Sequence, residues 1–495
     1  MPVSRRQFLG QLAGAAVAGS LPHALRAQNP RSAPHRSPNV LFLMSDDMRV
    51  ELGCYQSWFG AITPNIDRLA SSGVRFDRNF CQFPLCNPSR SSLFTAHRPT
   101  ATGVLNNRQY FRTAHPDWVT LPQLFRQHGY RTIRHGKIYH GGIDDLPSWD
   151  EGGGVPEGPG GAGGHSLVIP PSERPDPADQ PPAALARDHR HGAYSDRVVV
   201  LDGHGEGHPD YQTADTAIAT LRRLKQQNQP WFFGCGFSKP HSPPCAPQSF
   251  LDLYDVNRIK LTPDFAPSPT VPPGFPRAAI RPHNADLFIG RHASVAEARE
   301  VIRGYIASIS WVDWNIGRVL AELDRLGLRE STIVVLAVDH GYQLGEKGKW
   351  SKAGSLFEMG TRVPLIVSAP GMTGNGRPCY RIVESIDIYS TLAELCGLPR
   401  PAGIEGVSLV PLLRDPSSQW DRPAFSVWSE NGRTLHGVAV RTNEWRFAEF
   451  GPAGANGAML FDPHGDPLEM TNLANDPKYA EVCRKLSALT RAYAA

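Results

Sequence analysis

None of the eight cysteines forms a Cys-x-x-Cys pair, so neither a zinc ribbon nor a dithiol redox motif can be read from the chain. Eight cysteines in 495 residues are also too few for a disulfide-packed scaffold. Surplus charge is scarce: 51 Lys and Arg stand against 47 Asp and Glu, a net +4 that argues against nucleic acid but would not repel an anionic substrate. No stable membrane span is expected, because the apolar run near the N-terminus ends by about Leu21 and a span needs roughly 20 apolar residues. Internal repeats are missing too. What is abundant is Gly (47) and Pro (45), too many for a helix bundle, beside a 40% hydrophobic content that excludes a long disordered polymer.

The N-terminus reads as an address. Ser4-Arg5-Arg6-Gln7-Phe8-Leu9 is a twin-arginine pattern, the Gly/Ala-diluted run follows, and Ala27 offers a cleavage position. A membrane anchor or an accidental Arg pair is the competing reading. Export by the twin-arginine translocase would carry a folded protein, with any cofactor or modification already installed, to the periplasm or the cell exterior. Length predicts two or three domains, and the expected organisation is a signal over 1–27, a catalytic domain over 28–415 and a C-terminal α+β subdomain over 416–495.

Along the chain, strands alternate with helices. The run 39–45 reads as a buried strand. Thr63-Pro64 opens a helix, with Thr63 as N-cap and Pro64 at the first helical position. Helices are predicted over 121–128 and 214–224, and strands near 130–134, 231–237, 333–338 and 363–367. Apolar spacing from Val301 to Leu323 holds a helical period for roughly six turns. Residues 150–185 are Gly/Pro-rich without a period and read as a surface insertion. The order predicts an α/β fold, a large mainly parallel sheet sandwiched by helices. Short alternating segments over 435–442, 445–450 and 460–462 predict a smaller antiparallel sheet at the C-terminus.

Chemistry gathers at strand ends. One strand runs into Asp46-Asp47 and another into Asp339-His340-Gly341, and in open α/β sheets ligands bind at the carboxyl edge. These residues form a candidate oxygen-rich site for one divalent cation, Ca²⁺ or Mg²⁺, although His is the less usual ligand for either. Adjacent acidic residues also cap turns after strands, and that reading stays open for each pair alone. In Cys86-Asn87-Pro88-Ser89-Arg90, Pro88 suits the first position of a helix with Asn87 as N-cap. A nucleophile or anion there would gain from the helix N-terminus and from the guanidinium of Arg90. An ordinary buried cysteine is the alternative.

Together, Cys86-x-Pro88-Ser89-Arg90, Asp46-Asp47 and Asp339-His340-Gly341 resemble the formylglycine-dependent sulfatases of the alkaline phosphatase superfamily. The resemblance runs from Asn39 to about Pro477 and includes Thr63-Pro64-Asn65-Ile66-Asp67-Arg68-Leu69-Ala70 and the closing phrase from Leu460 to Leu473. Gly136-Lys137-Ile138-Tyr139-His140 places two residues between Lys and His, where common arylsulfatases have one. That spacing, the Asp-His strand end, Lys239-Pro240-His241 and the phrase from Gly345 to Lys352 are similar to the iduronate-2-sulfatase subgroup.

The resemblance implies a metal held by Asp46, Asp47, Cys86, Asp339 and His340, and catalytic roles for Cys86, Arg90, Lys137, His140, His241 and Lys352. A maturation enzyme would oxidise Cys86 to formylglycine, whose hydrated form attacks the sulfur of a sulfated saccharide. His241 would protonate the departing sugar oxygen, while Lys137, Lys352 and Arg90 stabilise the sulfuryl oxygens. His140 would deprotonate the second hydroxyl to expel sulfate. The expected substrate is a 2-O-sulfated uronic acid or related sugar of a polysaccharide, contacted by insertions over 150–210 and 242–295. A phosphate or phosphonate ester hydrolase of the same superfamily, and a binding protein with unmodified Cys86, are the alternatives. One departure stands out: Phe94-Thr95-Ala96-His97 replaces the family's Leu-Thr-Gly-Arg, which helps recruit the maturation enzyme. His189, His191, His204 and His208 read as a solvated or substrate-proximal loop, and Trp311 and Trp350 as packing residues, with Trp350 also able to stack on a sugar. The seven other cysteines read as buried thiols or bridged pairs.

Overall fold

A computed structural model describes residues 37–153 and 195–494. The export signal, most of the Gly/Pro-rich insertion, His189 and His191 lie outside the described residues. Seven strands form the main sheet: β1 (Asn39–Asp46), β2 (Val74–Phe80), β3 (Arg131–Gly136), β5 (Trp231–Pro240), β7 (Thr332–Val338), β8 (Leu365–Ser368) and β9 (Pro378–Glu384). A two-stranded pair, β4 (Val199–Leu201) and β6 (Cys245–Pro247), stands apart. The order across the main sheet is β3-β5-β1-β7-β8-β2-β9. Every pairing is parallel except those of β8, which runs against both β7 and β2. Between β7 and β8 the chain makes only the short helix Glu358–Thr361, not the crossover helix that would return it in parallel.

Alternation on β1 shows how the layers are held. Leu41 and Leu43 join the core under the long helix Val295–Arg325, while Val40, Phe42 and Met44 point into the core that includes Leu93, Leu124 and Leu392. A buried side chain of this size contributes about 1.5–3 kcal/mol, so a one-residue slip would undo both faces at once. The long helix extends beyond the expected run at both ends, starting at Ser294, whose hydroxyl and Glu297 form a capping box.

The helix Pro64–Ser71 differs from expectation in its cap. Thr63 occupies the N-cap position, but its hydroxyl accepts from Gly53 N (2.8 Å) and donates to Asp67 (3.0 Å). The free helical amides of Asn65 and Ile66 donate instead to Asp313 of the long helix, at 3.2 and 2.7 Å. Capping here is a tertiary contact between two helices, and it satisfies the donors that a local cap would.

The C-terminal sheet is antiparallel in the order β10 (Ala424–Trp428), β11 (Gly437–Arg441), β12 (Arg446–Phe450) and β13 (Ala458–Phe461). It reaches the main sheet just ahead of Cys86: Ser426 Oγ donates to Cys81 O (2.5 Å) and Val427 N to Gln82 O (2.9 Å). Leu486 of the closing helix Ala480–Ala494 packs on Val440, Phe447 and Leu460. All eight cysteines lie among the described residues and are free. No helix among the described residues is long and apolar enough to cross a membrane.

Candidate active site

Four adjacent strands end at one edge and deliver charge there. Lys137 follows β3, His241 follows β5, Asp46 closes β1 with Asp47 beside it, and Asp339-His340 follows β7. Because β8 is antiparallel to both β7 and β2, β2 shares the direction of β7, and the chain beyond it returns to the same edge. There the helix Cys86–Thr95 begins, at Cys86 with Leu85 as N-cap, two residues earlier than Pro88 would place its start. Asn87 is therefore no cap: its side-chain amide donates to the carbonyls of Asn106 (2.9 Å) and Gln109 (2.6 Å). Cys86 sits in the first helical turn, where unpaired N–H groups favour negative charge.

The Cys86 thiol lies 3.2 Å from Nε2 of His340 and 3.5 Å from Oδ1 of Asp46. Nε2 of His340 is also 3.4 Å from Asp47 Oδ1 and 3.5 Å from Asp339 Oδ2. Nδ1 of His340 donates to Gly341 O (3.0 Å), which leaves the Nε2 lone pair facing the cluster. Arg90 does not extend toward open space. Its Nε donates to Asp339 Oδ2 (3.0 Å) and its Nη1 to the carbonyls of Lys137 (2.9 Å) and Ile138 (2.7 Å). Ser89 Oγ donates to Asp339 O, so the Cys86 helix is fastened to the end of β7 twice.

The lysines complete the ring. Lys137 Nζ donates to Asp46 Oδ2, and Lys352 Nζ donates to Asp47 Oδ2 at 2.9 Å. His241 Nδ1 donates to Ser242 O (2.8 Å), turning Nε2 toward Asp47 Oδ2 at 3.9 Å. His140 is placed close enough for Lys137, Arg90 and Lys352 to act on it, and its Nδ1 is buried without a hydrogen-bond partner. Two residues that local pattern did not single out support these groups. Asp210 accepts from Ser238 N, Ser238 Oγ and Lys239 N, each at 2.9 Å, and so anchors the segment that carries His241. Asp286 bonds to Ser351 and Lys352. Both stand in segments whose local pattern announces a turn or helix start rather than a site.

Burial and charge act in opposite directions on these groups. Burial raises the Cys86 thiol far above the ordinary range, only partly opposed by Lys352, so the group is a thiol at neutral pH. Burial pushes Asp47 up to about 7 against the pull of Lys352. Burial would raise Asp339 too, but Arg90, His340, Lys137 and Lys352 together outweigh it and hold that carboxyl well below its usual range. Burial lowers Lys137 to about 8, with Asp339 resisting. Burial and the nearby lysines keep His140 and His241 neutral, well below the usual imidazole range.

The donor set suits a divalent cation. Ligand atoms of Asp46, Cys86, Asp339 and His340 lie within 4.8 Å of one another, and all four residues are buried. Oδ1 of Asp47 is buried with no hydrogen-bond donor. Clustered buried carboxylates with an unpaired oxygen are the kind of group that holds a cation.

Other sequence candidates fall outside this cluster. His208 caps the helix Pro209–Lys225, its Nδ1 accepting from Asp210 N (3.0 Å), and His204 lies 5.8 Å from the Trp314 ring. Trp350 is fully buried against Phe288 at 4.9 Å, a core residue rather than a sugar platform. At the end of the Cys86 helix, Ala96 adopts φ 55° as C-cap, the left-handed conformation for which glycine is the usual residue.

Comparison with known proteins agrees with this geometry. The Sulfatase family matches residues 38–398, and the C-terminal family of N-sulphoglucosamine sulphohydrolase matches residues 345–493. Iduronate 2-sulfatase of Mus musculus is 29% identical over 562 residues, covering 96% of this chain and 98% of its own. A sulfatase of Formosa agariphila is 30% identical over 460 residues, covering 91% and 86%. Among solved structures, the phosphonate monoester hydrolase of Agrobacterium radiobacter superposes with a TM-score of 0.71 at 21% identity, over 92% of this chain and 96% of that one. That likeness speaks for the alkaline phosphatase-like fold. With the family match spanning most of the sequence, the chain belongs to the sulfatase family and is a sulfuric ester hydrolase.

Proposed function

We propose that this sulfatase removes 2-O-sulfate from uronic-acid or related sugars of sulfated polysaccharides, after twin-arginine export to the periplasm or cell exterior. One observation carries the mechanism: Cys86, at a helix start, faces Asp46 and His340 within 3.5 Å, while Lys137 meets Asp46 and both Lys352 and His241 meet the adjacent Asp47. The iduronate 2-sulfatase relative and the spacing of Lys137 and His140 support the 2-O assignment. Twin-arginine residues Arg5 and Arg6 support export.

Cys86 is the residue a maturation enzyme would convert to formylglycine, whose hydrate supplies an oxygen nucleophile that a thiol of raised pKa does not. A divalent cation held by Asp46, Asp47, Asp339, His340 and the converted Cys86 would supply Lewis acidity toward a sulfate oxygen. The chain's own groups do the rest. Lys137 and Lys352, both largely buried, bind the sulfuryl oxygens where each charge counts for more than it would in water. Arg90 holds the site's shape through Asp339 and two carbonyls and keeps Nη2, buried without a hydrogen-bond partner and 3.6 Å from Asp46, for a sulfuryl oxygen. His241, whose Nδ1–H is given to Ser242 O, would take up a proton at Nε2 as substrate binds and pass it to the leaving sugar oxygen. The incoming sulfate offsets Lys352 and Lys137, two of the charges that depress His241, and so raises its affinity for that proton. His140, kept neutral, is the base for the closing step.

The test pairs mass spectrometry of the Cys86 peptide, from protein matured in its host, with product analysis on disaccharides sulfated at O2 or at O6. An aldehyde mass and release of sulfate from O2 are expected. An unmodified thiol in active protein would overturn the nucleophile, and turnover at O6 alone would overturn the 2-O assignment. Faster hydrolysis of a phosphonate monoester than of either sugar sulfate would overturn the substrate class proposed here.

A further inference from the structure

We propose that Asp286 is the positioning residue for Lys352, clamping that side chain at both ends so that its ammonium is presented to the sulfuryl group. The proposal rests on the role given to Lys352 above. One carboxylate oxygen, Oδ2, accepts from Ser351 Oγ (2.6 Å) and from the backbone N–H of Lys352 (3.3 Å). The other, Oδ1, lies 3.3 Å from the Lys352 ammonium. A single carboxylate therefore contacts the residue at both its amide and its Nζ.

The clamp is itself held. Trp350 N donates to Asn284 Oδ1 (2.9 Å), Leu287 N donates to Trp350 O (3.1 Å), and Lys349 Nζ donates to His283 O (3.1 Å). These bonds tie the strip 283–287 to the strip 349–352 on both sides of Asp286. Trp350, fully buried, packs beneath.

Why Lys352 needs a second carboxylate follows from the first. Its ammonium also donates to Asp47 Oδ2 at 2.9 Å, and Asp47 belongs to the cation-binding set. A flexible lysine with that single partner would collapse onto Asp47 and compete with the cation for it. Asp286 lies 3.3 Å from the same ammonium, so that group is shared between two anions and its rotamer freedom is removed on folding rather than on substrate binding. Nothing in the local pattern around Asn284-Ala285-Asp286 announces this, because the partners are distant in sequence.

The experiment is a double-mutant cycle on the full, matured chain: Asp286→Asn, Lys352→Ala and both together, assayed on the 2-O-sulfated disaccharide and on 4-nitrophenyl sulfate. Asp286→Asn is expected to lower kcat roughly 10- to 100-fold while changing KM less than about threefold, the signature of an interaction made in the transition state. In the Lys352→Ala background the same change should have almost no further effect, because the residue it positions is gone. Ser351→Ala, which loosens the clamp but keeps its charge, should show a smaller kcat loss that also vanishes without Lys352. Effects that multiply in the double variant, or a normal kcat for Asp286→Asn, would overturn the clamp alone. A normal kcat for Lys352→Ala would overturn the clamp together with the role of Lys352. Should Asp286→Asn not fold, the Ser351→Ala cycle decides by the same criteria.

Discussion

Two networks of buried charge in this molecule look alike by composition and differ in arrangement. At the carboxyl edge of the main sheet, Asp46, Asp47, Asp339, Arg90, Lys137 and Lys352 crowd around Cys86 and His340. Beneath the C-terminal sheet, Glu358 meets Arg441 (3.2 Å) and Arg446 (3.5 Å), and Glu469 meets Arg446 (2.9 Å). In the second network acids and bases alternate, and the Glu469 carboxylate also accepts from Glu358 N (2.8 Å). The first brings three carboxylates to one point and leaves Oδ1 of Asp47 without a donor. Buried charge alone therefore does not mark a site. Three carboxylates converging on one point beside a thiol and an imidazole do. Lys137, Lys352 and Arg90 offset part of that cluster's repulsion and a bound cation would offset more, whereas the alternating network ties the C-terminal sheet to the helix Glu358–Thr361.

That contrast can be broken experimentally. Cys86→Ala should abolish turnover, on the order of 10⁴-fold or more, with little change in the unfolding midpoint, measured by steady-state kinetics and thermal denaturation. Chelation of the holoenzyme should cost roughly 10³-fold in rate and lower the midpoint, both restored by Ca²⁺ or Mg²⁺, since the cation binds only the folded state. An unaffected midpoint would mean that the carboxylate cluster needs no cation. Arg446→Ala should do the reverse, destabilising by about 3–5 kcal/mol in denaturant titrations while kcat of the folded fraction stays within about twofold. A large kcat loss there would erase the distinction drawn between the networks. The smallest effect is expected at the far end of the Cys86 helix. Ala96→Gly relieves a left-handed alanine worth ~1–2 kcal/mol but exposes the loss of one buried methyl, ~0.8 kcal/mol, for a net gain of about 0.5 kcal/mol and unchanged kinetics.

Much of the candidate site is legible in the sequence, and for a physical reason. Asp46-Asp47 and Asp339-His340 end strands whose apolar runs are unmistakable, and strand ends in an α/β sheet are where ligands collect. The helix 301–323 was legible because a regular period is a local property. β2, β9 and β10 were not: in β2, Arg75 and Asp77 interrupt the apolar run, and β9 is an edge strand with Tyr380 exposed. The start of the Cys86 helix was misplaced because Pro and Asn preferences are averages over many helices. Here Asn87 is claimed by Asn106 and Gln109.

Residue order alone specifies which groups are present, which of them close a strand, and which faces of a strand or helix must be buried, because periodicity and turn chemistry act over a few neighbours. It does not specify partners tens to hundreds of residues apart. That Asp313 caps the helix of Asn65, that Arg90 is spent on Asp339, and that Asp286 brackets Lys352 were settled when the strand order β3-β5-β1-β7 brought separate strand ends to one edge. Long-range pairing is chosen by the packing of the whole sheet, and no local window of the chain contains that information.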